Sequence, residues 1–162
     1  MKSAAITIVF NEKKNEVLLI KRKDIPVFVL PGGGIEAFET AEDAAVREAL
    51  EETGLTVKLI RKTGEYTPIN KLSAETHVFE ASILSGKLTT GEETREVQFF
   101  PLNNLPKPFF IIHQDFLNDA LKNETVVKKP LSQVTYFNLF LNLFKHPILI
   151  LYALKARFKL KL

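Results

Sequence analysis

The chain has 162 residues, 46% of them hydrophobic and 25% charged, and it contains no cysteine. That length and balance suit one soluble globular domain, and the lack of cysteine excludes both a disulfide framework and a thiolate zinc site. The formal net charge of +3 is unevenly spread: residues 1 to 124 hold 15 basic and all 19 acidic side chains, whereas residues 125 to 162 hold 7 basic ones and no acid.

Taken in order, residues 4 to 10 form an apolar, β-branched run, residues 11 to 15 carry turn chemistry, and residues 17 to 20 are apolar again, which predicts strand, turn and strand. The basic start at Lys2 leads into an apolar run too short for a secretory signal, so a cytoplasmic location is expected. Residues 27 to 30 predict a further strand that runs into Pro31-Gly32-Gly33-Gly34, where glycines allow positive φ and close approach of a ligand. Thr40, three residues before Asp43, marks a helix start and Gly54 its end, giving a helix over residues 41 to 53. Strands follow over residues 56 to 61, 76 to 84 and 96 to 100, and an amphipathic helix over residues 112 to 122.

The helix at residues 41 to 53 is the informative segment. At 100° per residue, Glu48, Glu51 and Glu52 share an arc of about 100°, and Val46 and Leu50 point to the other side, where they are expected to enter the core. Carboxylates on successive turns repel, at a cost of a few tenths of a kcal/mol per i, i+4 pair on an exposed helix. A solvated face with Arg47 paired to Glu51 explains many such helices. Here, however, Gly33, Glu39, Arg47, Glu48, Glu51, Glu52 and Gly54 stand at fixed offsets that chance supplies on the order of once in 10^8 start positions. The cluster calls for a cation, and hard divalent ions such as Mg²⁺ favour carboxylate, phosphate and water oxygens.

The stretch GGIEAFETAEDAAVREALEETGL resembles the box of the Nudix hydrolase (MutT-like) family, Gx5Ex7REUxEExGU with U a bulky aliphatic. Ala49 is small for the first U, and Phe38 stands where many members have glycine before the first glutamate. The resemblance implies an α/β fold, a Nudix-type α/β/α sandwich with a mixed β-sheet over residues 1 to 124. It also implies Mg²⁺- or Mn²⁺-dependent hydrolysis of a nucleoside diphosphate linked to another group. Carried over position by position, it assigns the metal to Glu51 and Glu52, supported by Glu48, Glu39 and the backbone carbonyl of Gly32, with Arg47 orienting the glutamates. Glu48 is the preferred acceptor of the attacking water's proton, with loop glutamates Glu92, Glu93 and Glu96 as alternatives, since members of the family differ in this role. The rival reading is a Nudix-fold module that binds or regulates through a nucleotide without cleaving it.

Substrate contacts lie outside the box. Lys21, Arg22 and Lys23 end a strand where they can reach a phosphate, although a basic strand end also discourages edge pairing. Tyr66 and Phe79 are candidates to stack on a base, against the commoner role of such residues in a core. His77 and His113 read as structural or surface residues.

Residues 125 to 162 form a basic, apolar extension expected to be helical. Asn138, Asn142, Lys145, His146 and Pro147 interrupt its apolar run and argue against a membrane span. Packing on the domain or on a second copy in a homodimer is the favoured role; the competing one is peripheral contact with an anionic membrane through Lys155, Arg157, Lys159 and Lys161. No nucleic-acid motif accompanies these basic residues, and no nucleic-acid partner is expected.

Overall fold

The structure is a computed structural model that describes residues 3 to 122 and 124 to 135. In chain order the elements are β1 (Ser3–Val9), β2 (Glu16–Arg22), β3 (Phe28–Val29), β4 (Gly32–Gly34), α1 (Ala41–Thr53), β5 (Leu55–Thr67), β6 (Glu75–Gly86), β7 (Thr94–Pro101), α2 (Ile111–Lys122) and β8 (Val127–Pro130). Two sheets are built from them, a five-stranded mixed sheet in the order β4-β1-β6-β5-β8 and a three-stranded antiparallel sheet in the order β3-β2-β7. β1 and β2 are neighbours in sequence yet serve different sheets, and the isolated Phe10–Val17 bridge joins them.

Alternation along the strands sorts the core into two sides. Ile6, Ile8, Val17, Leu19, Val78 and Tyr66 face α2 and pack with Phe116, Leu117 and Ala120. Val9, Leu18, Leu55, Val57 and Ala81 face α1 and pack with Ala49, while Ala5 and Phe79 pack with Ala44 and Ala45. Helices thus cover both faces, which is the expected α/β/α sandwich with a mixed sheet.

α1 occupies the expected span because its ends are fixed locally. The Thr40 side chain accepts from the Asp43 amide at 3.1 Å, and Gly54, at φ 74°, donates to the Leu50 carbonyl at 2.8 Å. Its buried face differs from expectation: Leu50 is 48% exposed, and the residues that enter the core are Ala44, Ala45, Ala49, Glu52 and Thr53. Val46 packs only partly against the core. Alanines on this face let the helix backbone come close to the sheet, and the Thr7 hydroxyl donates directly to the Ala45 carbonyl at 3.0 Å. A small residue at position 49 is therefore a packing requirement.

The glycine run also differs from an open turn. Gly32–Gly34 is an edge strand paired with β1, and a Cβ on Gly32, whose φ is 147°, would lie 2.3 Å from the Ala5 carbonyl oxygen. At the other edge, β8 pairs in parallel with β5, and Leu131 just beyond it is buried in the α2-side core, so the folded unit continues past residue 124. The remainder of the basic extension, residues 136 to 162, lies outside the described residues. Among the described residues no helix is long and apolar enough to cross a membrane.

Candidate active site

The carboxylates converge where β4, the loop after it and the middle of α1 meet. Arg47 is the hub: its Nε and Nη2 donate to the two Glu39 oxygens at 2.8 and 3.0 Å, its Nη1 to Glu48 at 2.9 Å and Glu51 at 3.2 Å, and its Nη2 also to the Gly34 carbonyl at 3.0 Å. A planar five-donor fork can hold this many acceptors at fixed angles, and a lysine ammonium cannot. Hydrogen bonds from Arg47 and from the Glu36 amide hold the Glu39 carboxyl well below the usual range, at about 2.

Glu48 and Glu52 have a different environment. Glu52 is 8% exposed and accepts from the Gly32 amide at 2.8 Å. Burial pushes its pKa up to about 7, against the Gly32 bond and with further repulsion from Glu48 and Glu93. Burial also raises Glu48, more than Arg47 lowers it, with repulsion from Glu51 and Glu93 adding to the rise. Gly33 makes room for this arrangement, since a Cβ there would lie 2.4 Å from Glu48 Oε1. The motif glycine is needed for the carboxylate beside it, not for a turn.

The loop glutamates Glu93 and Glu96 are not equivalent in the structure. Glu93 lies within electrostatic reach of Glu48, Glu52 and Arg22. Glu96 lies within β7, pairs with Lys21 at 2.8 Å and is absent from the groups that perturb the cluster. Arg22 is the cation near Glu52 and Glu93, and Asp24 grips it through Nε at 2.8 Å and Nη2 at 2.6 Å.

Tyr66 and Phe79 do not present faces to a ligand. Tyr66 is 1% exposed, packs on Phe116 and donates its hydroxyl to Asp119 at 2.9 Å; Phe79 is 2% exposed beneath α1. Both positions obey strand alternation into the core, which overrides their capacity to stack on a base. His113 has a role its sequence context did not signal. Its Nδ1 accepts from the Leu30 amide at 3.0 Å, just before the glycine strand, and burial depresses its pKa to about 3. A lone histidine outside any motif offers no pattern from which that contact can be read. Phe38 keeps the left-handed backbone of the position, φ 69°, with its side chain fully exposed.

The donor set fits a hard divalent cation: clustered carboxylate oxygens, among them those of buried Glu52 and half-buried Glu48, whose charge is incompletely compensated. With Arg47 engaging Glu39, Glu48 and Glu51 in separate hydrogen bonds, no three acidic or histidine side chains among the described residues close around a single point as metal ligands do.

The α/β/α sandwich carries its arginine-centred acidic face beside a glycine edge strand, the arrangement that the resemblance to Nudix hydrolases implies. Comparison with known proteins agrees. Residues 1–120 match the NUDIX domain family. An ADP-ribose pyrophosphatase of Methanocaldococcus jannaschii is 42% identical over 118 residues, covering 68% of this chain and 69% of the relative. A putative 8-oxo-dGTP diphosphatase of Bacillus subtilis is 44% identical over 130 residues, covering 76% and 85%. Among solved structures, a NUDIX hydrolase from Nitrosomonas europaea superposes with a TM-score of 0.69 at 26% identity, covering 80% of this chain and 78% of that one. The chain belongs to the Nudix family and is a pyrophosphohydrolase.

Proposed function

We propose that this protein hydrolyses the pyrophosphate linkage of a nucleoside diphosphate joined to another group, with Mg²⁺ or Mn²⁺ as cofactor. The observation that carries the reading is the pair of mutually repelling glutamates, buried Glu52 and half-buried Glu48, beside an arginine already shared among three carboxylates. Such a face lacks positive charge, and a phosphate-bound divalent cation supplies it. Glu52, Glu51, Glu48 and Glu39, with the Gly32 carbonyl, are the groups to hold the metal. When bound, it neutralises charge on the phosphoryl oxygens and acidifies water.

The chain's own residues do the rest. Arg47 orients the glutamates and keeps Glu39 ionised; Arg22 is placed to meet a phosphate oxygen on release from Asp24. Glu48 is the preferred acceptor of the proton from the water that attacks phosphorus, with Glu93 as the alternative; Glu96, held by Lys21, is the weakest candidate for this role. Products are a nucleoside monophosphate and either a phosphorylated remainder or pyrophosphate. The two relatives named above support both an ADP-ribose-like and a nucleoside triphosphate substrate. A purely nucleotide-binding role is disfavoured because binding alone does not require the whole carboxylate set.

The test is release of phosphate or nucleotide with Mg²⁺ or Mn²⁺ across nucleoside triphosphates, nucleotide sugars, ADP-ribose and dinucleoside polyphosphates. Metal-dependent turnover of at least one class is expected. A folded protein that binds nucleotides and turns over none of them overturns the reading in favour of the binding module.

A further inference from the structure

Lys23 follows β2 directly, between Arg22 and its partner Asp24, and engages neither. Its Nζ donates to the Glu92 carbonyl at 2.8 Å and the Gly91 carbonyl at 3.3 Å, and its backbone amide donates to the Glu93 carbonyl at 2.9 Å. One residue thus holds three consecutive carbonyls of the segment that joins β6 to β7. The other side of that segment rests on the C-terminal end of α1. The Thr89 amide donates to the Thr53 carbonyl at 2.9 Å, and Gly91 comes so near α1 that a Cβ would lie 2.1 Å from the Glu51 carbonyl oxygen. Thr94, fully buried opposite Arg22, closes the segment. Glu93 is therefore carried on a short span fixed at both ends, with its charge felt by Glu48 and Glu52.

We propose that Lys23 is a positioning residue for Glu93, clamping the 91–93 span so that this carboxylate faces the acidic side of α1. The inference rests on Glu93 taking part in turnover. A clamp built from an ammonium and neutral carbonyls suits this place, because it fixes the backbone without neutralising the glutamate. An ion pair to Glu93 itself would hold the loop and compete with its chemistry.

A double-mutant cycle tests it. With the best substrate of the panel, Lys23→Met is expected to lower kcat roughly 5- to 20-fold, as loss of one or two charge-assisted hydrogen bonds implies, with KM changed less than twofold. Lys23→Arg, which keeps donors and charge, should recover most of the loss. In a Glu93→Gln background Lys23→Met should cost nothing further. Effects that multiply, or a Lys23→Met defect confined to KM, overturn the proposal, the latter marking Lys23 as a substrate contact instead. Full activity of Glu93→Gln alone removes the role of Glu93 and the proposal with it. Amide exchange separates the two failures. If the Thr89 and Thr94 amides exchange faster in Lys23→Met, the clamp stands and only the role of Glu93 is lost; unchanged exchange means that the clamp itself is absent.

Discussion

Two networks of acids and bases lie on opposite parts of this molecule, and their charge balance differs. On β6, Glu80 is 4% exposed and meets two cations, Lys14 at 2.7 Å and Arg61 at 2.8 Å. Burial opposes its ionisation, yet bonds from Lys14 and Arg61 leave its pKa below the ordinary value. On α1, one arginine serves Glu39, Glu48 and Glu51, and Glu52 accepts from a backbone amide with Arg22, already gripped by Asp24, as its nearby cation. The first network is complete within the chain and ties the residue 11 to 15 turn, β5, β6 and the end of α2 together. The second is short of positive charge. The same residue type is perturbed in opposite directions: Glu80, like the Arg47-gripped Glu39, is lowered by its cations, whereas Glu48 and Glu52 are raised by burial that no cation fully offsets.

The comparison can be broken most sharply at Glu52. Glu52→Gln is expected to reduce kcat by about 10^3-fold or more, with circular dichroism and melting temperature near those of the parent, since one ligand lost from a catalytic centre costs several kcal/mol of transition-state stabilisation. Near-normal turnover in that variant would remove Glu52 from the metal role. Arg47→Ala should cost about 10^2-fold, and Arg47→Lys nearly as much because the fork geometry is lost; measured kcat for the pair separates charge from shape. Glu80→Ala belongs to the other class. It should lower stability by about 2 to 3 kcal/mol in denaturant unfolding, by leaving Arg61 and Lys14 without their shared partner, and leave kcat per folded molecule unchanged.

Smaller effects sharpen the contrast. His113 is half-buried and held neutral, with its pKa depressed to about 3 from 6.5 by desolvation. Between those values the unfolded chain binds a proton that the folded chain does not, so stability falls as pH drops from about 6.5 toward 3, by at most ~1.4 kcal/mol per unit. Urea midpoints measured across that window should fall less steeply in His113→Gln. Phe38→Gly should raise stability by roughly 1 kcal/mol, since a fully exposed phenylalanine at φ 69° gains no packing for its strained backbone. A lower thermal midpoint in that variant would show that Phe38 makes a stabilising contact.

The features readable from sequence are those set by neighbours in the chain. Thr40 and Gly54 delimit α1 because capping is local, and the offsets among Arg47, Glu48, Glu51 and Glu52 place them together on one helix whatever surrounds it. The exchange of Leu50 for Ala49 on the buried face was not readable, because it depends on how near the helix lies to the sheet. The use of the β4 glycines is unreadable for the same reason: it is close approach to β1 and to Glu48, both distant in sequence. β8 is a four-residue strand, Val-Lys-Lys-Pro, whose only strand signal is one valine, and its pairing with β5 supplies the rest. Glu93 and Glu96 look equivalent in sequence. The irregular register at Lys21/Arg22 sets Arg22 opposite Thr94, next to Glu93, and Lys21 opposite Glu96, so Glu96 is drawn into a salt bridge while Glu93 stays within electrostatic reach of Glu48 and Glu52.

Ala49 has a consequence beyond packing. The helix stands on a layer one methyl deep, and the same backbone that touches the sheet through Thr7 carries Glu48 toward Gly33 and Glu52 toward Gly32. Core depth under α1 is thus a dimension of the reaction centre. A chain with a larger residue at position 49 can stay folded by letting the helix ride outward, and its damage will be recorded as lost turnover before it is recorded as lost stability.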